Sequence, residues 1–450
     1  MNVEYRTHML DNGIQVVYIP RKDSNVSSIC VFCRVGSVDE NPSTYGMSHY
    51  LEHMLFKGTD TRPSAKIISS ELDSVGAYFN AYTDKACTGY IVKVNSDFLE
   101  KSIYLLGDIL SNSNLKQTEF DIEKHVVVEE INKSKDIPSV KVLENAYEII
   151  FKEHPLAHTI ASEPTNILSY NRSDVYSYYK KYYVSNNIII SVASNVIFED
   201  IIKYIQKSDF NNCLQNKELN LRTFPPLLKQ TIPRFSIKNK KTEQVHLVIG
   251  FPIESMYSRD KYALELIQTI LAGNMSSRLF LDLREKNGLS YNVSMDTSYY
   301  QTCGAIFIQT SFNKDSLFIK NTSIKDSKMY IKDIITPGGL PIIIENLKLM
   351  KNILVPEDEL EKAKGFLKGS FILGMEDGLS KADHFGRQLM FNHNPIENFG
   401  YLIDEYNKVT PEDIKKTSNK YFDFNKMNIS IIGEYKLEDV EKFVSIYLDE

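Results

Sequence analysis

GMSHYLEHMLFKGT, residues 46–59, sets two of the chain's nine histidines and a glutamate within five positions. At about 100° per residue, Met47, Leu51, Met54 and Leu55 share one stripe of a helix and form its core face. His49, Glu52 and His53 cluster within about 100° on the opposite side. The histidines are therefore not core residues packed among leucines. Imidazoles at positions i and i+4 can aim at one cation, and Glu52 can address a water beside that cation without ligating it. The pattern reads H-x-x-E-H. Gly58 is the stop that ends the helix. The competing reading is a solvated polar face with chance histidines, and a third ligand elsewhere in the chain would separate the two.

TEFDIEKHVVVEEINKSKD, residues 118–136, supplies one. It reads as a helix on which Glu123 and Glu130, seven apart, fall nearly in register beside Val126 and Val127. Glu129 points elsewhere, beside His125 and Lys133, where a solvated ion-pair role suffices. Two carboxylates on an apolar stripe are costly unless a cation meets them. Glu130 as a metal ligand and Glu123 as its supporting partner would remove that cost; a partly exposed acidic face is the alternative.

The rest of the composition bounds the setting. The chain has 450 residues, 42% hydrophobic and 24% charged, which favours two domains with real cores. A net charge of −6 without a basic block argues against nucleic acid or an anionic membrane as partner. Five cysteines fit a reducing interior better than a disulfide framework. Cys30 and Cys33 form a CxxC, but SSICVFCRVG reads as a buried strand whose positions three apart point to opposite faces. No signal peptide is visible, and the apolar runs are too short to span a bilayer. The expected location is cytoplasmic or another reducing interior, with a mitochondrial matrix open if a presequence has been removed.

Residues 217–233, with Pro225-Pro226 and Pro233, read as a linker between a first domain, 1–216, and a second, 234–450. Each half runs strand, helix, helix, strand, strand. Laying Gly76 on Gly288 puts Phe79-Asn80 on Tyr291-Asn292, both after a helix-ending glycine. The expectation is a duplicated α+β fold, each copy an antiparallel or mixed sheet with helices on one face. The second copy lacks HxxEH, so its chemistry differs. Residues 318–345, containing TPGGLP, read as an insertion.

HYLEHMLFKGT, LDSVGAYFNAYTDKACTGY and EKHVVVEEI together resemble the pitrilysin/insulysin/mitochondrial-processing-peptidase family of zinc metallopeptidases, in its short two-domain type. LDNGIQVVYIP, GNMSSRLFLDLREKNGLSYNV and EDELEKAKGFLKGSFILGMED extend the resemblance over nearly the whole chain. It implies two domains facing each other across a cavity, with one Zn2+ per chain held by His49, His53 and Glu130. Glu52 is then the base that activates water, and Glu123 the upstream glutamate that supports catalysis. Arg284 and Tyr291 match the second-domain pair that reaches the substrate backbone and scissile carbonyl. Asn80 and Ala81 match the edge strand to which a peptide adds. The implied activity is endopeptidase cleavage of extended or unfolded peptides, the implied partners a peptide or protein substrate and a related subunit in a homo- or heterodimer. A non-catalytic subunit of the same fold is the rival, but such relatives lose parts of the zinc motif that this chain keeps whole.

Overall fold

The computed structural model describes residues 2–219, 224–325, 331–391 and 396–448. Two compact units emerge, and neither is a contiguous half of the chain. The first comprises residues 1–133, 158–223 and 371–402; the second comprises 134–157, 224–370 and 403–450. One of the boundaries between the units, 223/224, falls within residues 217–233, of which 220–223 lie outside the described ones. A single cut there still differs from the observed partition. Each half of the sequence sends a helical segment into the unit built mainly by the other half.

The first unit holds a six-stranded sheet made of β1 (Arg6–Met9), β2 (Gln15–Pro20), β3 (Val26–Cys33), β4 (Tyr78–Thr83), β5 (Thr88–Asn95) and β6 (Ile188–Ser194), in the order β1-β2-β6-β3-β5-β4. β2 and β6 are parallel, and the remaining pairs are antiparallel. The second unit repeats this with β7 (Arg234–Asn239), β8 (Gln244–Ile253), β9 (Val293–Tyr299), β10 (Gly304–Asn313), a hairpin of β11 (Ile319–Lys325) and β12 (Ile331–Pro337), and β13 (Asn428–Gly433). Its sheet order is β7-β13-β8-β10-β9, again with one parallel pair, β7 and β13. Strand for strand this is the order β2-β6-β3-β5-β4, so the duplication expected from weak sequence similarity is a duplication of topology. Gly76 (φ 63°) and Gly288 (φ 53°) both take the left-handed conformation that ends a helix.

Five helices of the N-terminal half follow in order: α1 (Met47–Leu55), α2 (Ala65–Asp73), α3 (Leu99–Ser111), α4 (Gln117–Asp136) and α5 (Pro138–Ile150). One face of the first sheet packs on α1, α3 and neighbouring helices through residues such as Ile29, Val31, Leu51, Met54, Ile103 and Ile109. The opposite face is covered as well, because β3 is buried at seven successive positions from Ser27 to Cys33. The Gly378–Met390 helix lies there against β2, β3 and β6. Cys30 and Cys33 accordingly sit on opposite faces of β3, and all five cysteines are free and buried. In the second unit α5 takes the matching place on β8 and β13, with Tyr147 stacked on Phe307 at 4.7 Å.

The expected insertion at 318–345 is smaller than its sequence suggested. The extra element is the β11–β12 hairpin, whose residues 326–330 lie outside the described ones. From Gly339 the chain is already in a helix, Gly339–Asn352, at the position α3 occupies in the first unit. Proline and two glycines hid that helix start from a periodicity reading.

The helix covering β3 approaches closely because position 386 is glycine. A Cβ there would stand 2.4 Å from the Phe32 ring and 2.9 Å from Ser191 Cβ. In an ordinary helix Gly→Ala stabilises by up to about 1 kcal/mol. Gly386→Ala is expected to have the opposite sign, losing about 1–3 kcal/mol through overpacking. The urea midpoint of the variant measures this, and an unchanged or raised midpoint would refute so close a contact.

Candidate metal centre

α1 carries the histidines and is seated before any metal is considered. Met47, Tyr50, Leu51, Met54 and Leu55 are each at most 2% exposed. Its N-terminus meets a buried acid: Glu40 accepts hydrogen bonds from the backbone N–H groups of Gly46 (2.7 Å) and Ser48 (2.8 Å). These are donors that a helix start leaves unpaired, and a carboxylate also suits the positive end of the helix dipole. At the side facing α4, the Tyr50 ring meets Phe120 edge-on at 5.1 Å and its hydroxyl donates to the Phe120 carbonyl. That contact fixes how near the two helices run.

The geometry that follows brings His49, His53 and Glu130 together, with one ligand atom from each all within 4.8 Å of one another. Nε2 of His49 lies 3.7 Å from Glu130 Oε1, and Nε2 of His53 lies 3.4 Å from Oε2. Four ligands at about 2.1 Å from a tetrahedral ion stand about 3.4 Å apart, so the donor spacing fits zinc. The donor chemistry fits too: two imidazoles and a carboxylate leave a fourth position for water or substrate. His49 Nδ1 is buried without a hydrogen-bond partner.

Glu123 is 3% exposed and bridges two cations-to-be: Oε1 to His53 Nδ1 at 2.9 Å, Oε2 to Lys57 Nζ at 2.6 Å. A carboxylate on the far nitrogen of a ligating histidine fixes the ring and raises its basicity. Of the two valines flanking the α4 carboxylates, Val127 is core and Val126 is 47% exposed. Glu52 stands outside the three-residue cluster, its Oε2 accepting a 2.9 Å hydrogen bond from the Thr83 hydroxyl.

The charges respond accordingly. Burial opposes a charge on His53, but hydrogen bonds with Glu123 and Glu130 outweigh it and hold the imidazole up at about 9. Hydrogen bonds from His49 and then His53 hold Glu130 far below the usual carboxylate range. Burial would raise Glu123, yet His53 and Lys57 bring it below its ordinary value. Glu52 moves the other way: burial raises it, with His49 and Thr83 only partly offsetting that. A carboxylate that is easier to protonate than its neighbours suits proton transfer.

The other residues singled out in the sequence are carried by other elements. Asn80 and Ala81 are on β4, the free edge of the first sheet, where Asn80 Oδ1 accepts from the Ala81 N–H. Arg284 and Tyr291 belong to the second unit, where the guanidinium lies 4.7 Å from the Tyr291 ring centre and 4.9 Å from that of Phe280. Tyr291 is 79% exposed and precedes β9, so it does not share a strand position with Phe79. The second unit's counterpart of α1 in element order, Asp260–Ala272, carries no histidine. Its Glu265 accepts a hydrogen bond from the Tyr406 hydroxyl.

Sequence reading passed over Lys57, Thr83 and Glu40. Lys57 follows His53 by one helical turn, which is the only signal it offered. Thr83 shares strand parity with Phe79 and Ala81, both packed on the core, and so faces α1. Glu40 had no signal, because its role depends on a loop folding back.

Glu40 gives a pH test. Burial pushes it up to about 7 against the bonds it accepts, while an unfolded glutamate titrates near 4.3. The folded pKa is the higher, so this stability is complete below about pH 4 and is lost as pH rises through 7. The stability of the native chain relative to Glu40→Gln should shrink between pH 5 and pH 8, by on the order of 3 kcal/mol. Thermal melts across that range measure it, and a pH-independent difference would refute it.

Comparison with known proteins identifies the family. Residues 15–163 match the model of the insulinase family, peptidase family M16, and residues 169–367 match the peptidase M16 inactive domain. The chain is 30% identical over 441 residues to an "uncharacterized zinc protease" of Rickettsia bellii, covering 97% of this chain and 99% of that one. It is 29% identical over 419 residues to the zinc protease YmxG of Bacillus subtilis, covering 93% and 95%. Among solved structures, a protease from Helicobacter pylori superposes with a TM-score of 0.85 at 22% identity, over 95% of this chain and 99% of that one. With one domain model spanning the residues that carry His49, Glu52, His53 and Glu130, the other following it along the chain, and a zinc protease 30% identical over 97% of this chain, the chain belongs to the M16 family of zinc peptidases, in its short two-domain form.

Proposed function

We propose that the chain is a zinc endopeptidase that cleaves extended or unfolded peptides. The observation that carries this is the division of labour on α1. His49 and His53 converge with Glu130, while Glu52, one residue from His53, is held out of that cluster by Thr83. A purely structural metal site would have no use for a carboxylate held beside the ligands, and would close its fourth position.

His49, His53 and Glu130 would hold one Zn2+, which when bound polarises the scissile carbonyl and makes water a nucleophile near neutral pH. Glu52 takes the proton from the attacking water and passes it to the departing amine. Glu123 keeps the His53 ring turned with Nε2 toward Glu130. The substrate lies extended along β4 near Asn80 and Ala81, adding a strand to a sheet edge that is free. On the resemblance, Arg284 and Tyr291 are assigned the substrate backbone and the oxyanion, and a second copy or a related subunit is the expected partner.

The free buried cysteines favour a reducing interior. Among the described residues no helix is long and apolar enough to cross a membrane. The complete set of His49, Glu52, His53, Glu123 and Glu130 supports an enzyme over a non-catalytic subunit.

Glu52→Gln is expected to retain one zinc per chain and to lose at least about 100-fold in kcat. Metal analysis and mass spectrometry of a cleaved peptide library measure the two quantities. Wild-type activity that survives exhaustive chelation, or a fully active Glu52→Gln, would overturn the proposal.

A further inference from the structure

The base, Glu52, has a hydroxyl partner at the end of β4, and that strand end is itself gripped. Thr83 Oγ1 donates to Glu52 Oε2 at 2.9 Å. The residues on either side of Thr83 both bind one guanidinium: Arg387 Nη2 donates to the Tyr82 hydroxyl at 2.7 Å, and Nη1 reaches Asp84 Oδ2 at 3.3 Å. The same guanidinium bonds Asp383 through Nε at 3.1 and 3.2 Å, and the Tyr82 hydroxyl donates to Asp383 at 3.2 Å. Its carbon stands 5.2 Å from the Tyr82 ring centre and 6.0 Å from that of Phe32. At the turn that follows, Nη1 lies 3.8 Å from Cys87 Sγ.

We infer that Thr83 and Arg387 are positioning residues for peptide hydrolysis: Thr83 aims the Glu52 carboxylate, and Arg387 fixes the strand end that carries Thr83. The inference rests on the reading of Glu52 as the base. Glu52 sits on a helix surface with a side chain of three rotatable bonds. A hydroxyl that donates to one oxygen of that carboxylate selects one rotamer. β4 is an edge strand with a neighbour on one side only, so its end is the least constrained part of the sheet. A planar fork with five donors can hold a hydroxyl, two carboxylates and a ring face together, which a lysine cannot. Arg387 is carried by the Gly378–Met390 helix, so a residue from the C-terminal half of the sequence aligns chemistry borne by the N-terminal half. The close approach at Gly386 is what brings it there.

The test is a double-mutant cycle on the full-length zinc-loaded chain. Thr83→Val is expected to lower kcat by about 10–100-fold with zinc content and KM unchanged, and Thr83→Ser to restore most of the loss. Arg387→Met should lower kcat by about 10-fold when Thr83 is present and by less than about 2-fold in the Thr83→Val background, because the two act through one carboxylate. If Arg387→Met melts before assay, Arg387→Lys, which keeps the charge and loses the fork, runs the same cycle. Glu52→Gln is measured alongside. An inactive Glu52→Gln with a fully active Thr83→Val, or losses from the two sites that simply multiply, would overturn the inference. An active Glu52→Gln would instead overturn the reading of the base on which it rests.

Discussion

A buried carboxylate shared between two helices is the constraint on which the metal centre depends. Glu123 joins α4 to α1 by bonding His53 on one oxygen and Lys57 on the other. Breaking a buried charged pair leaves its partner uncompensated, at a cost of about 3–5 kcal/mol. The three groups therefore set each other's orientation. With His53 turned by Glu123, its second nitrogen can only face Glu130, two helical turns further along α4. The orientation of the His53 ring and the spacing of the two helices are one solution to one electrostatic problem.

Around that constraint the first unit supplies rigidity from three directions. Glu40 holds the start of α1, Tyr50 and Phe120 hold its flank against α4, and Thr83 holds the carboxylate that is not a ligand. The acidic groups separate in behaviour although they lie close together. Glu130 and Glu123 are drawn toward ionisation by the imidazoles and, for Glu123, by Lys57, while burial draws Glu52 toward the proton. Carboxylates whose surroundings push them apart are the mark of groups with different tasks.

The duplicated topology carries the candidate metal cluster in only one of its copies among the described residues. Both units share a strand order, and both have a helix following the matching central strand. In the second, that helix carries no histidine, and Glu265 is bonded to a tyrosine hydroxyl. The scaffold persists because its stability comes from strand pairing and core packing, neither of which needs the ligands. Each sheet lacks a cover for one face until a helix from the other half of the chain supplies it.

Sequence alone determined the local chemistry. Helical spacing is rigid over a few turns, so HxxEH within α1, and Glu123 with Glu130 within α4, could be placed on their faces from letters alone. The strand, helix, helix, strand, strand order repeated on either side of a proline-rich stretch was legible for the same reason. Tertiary structure decided what no local period encodes. The α5 and Gly378–Met390 helices join the unit of the opposite half because a sheet with two apolar faces must bury both, and sequence distance carries no energy term for that. Helix start Gly339 was hidden by proline and glycine next to an extra hairpin. Thr83, Glu40 and Arg387 carried no motif, because each acts through a contact between segments that only folding brings within hydrogen-bond reach.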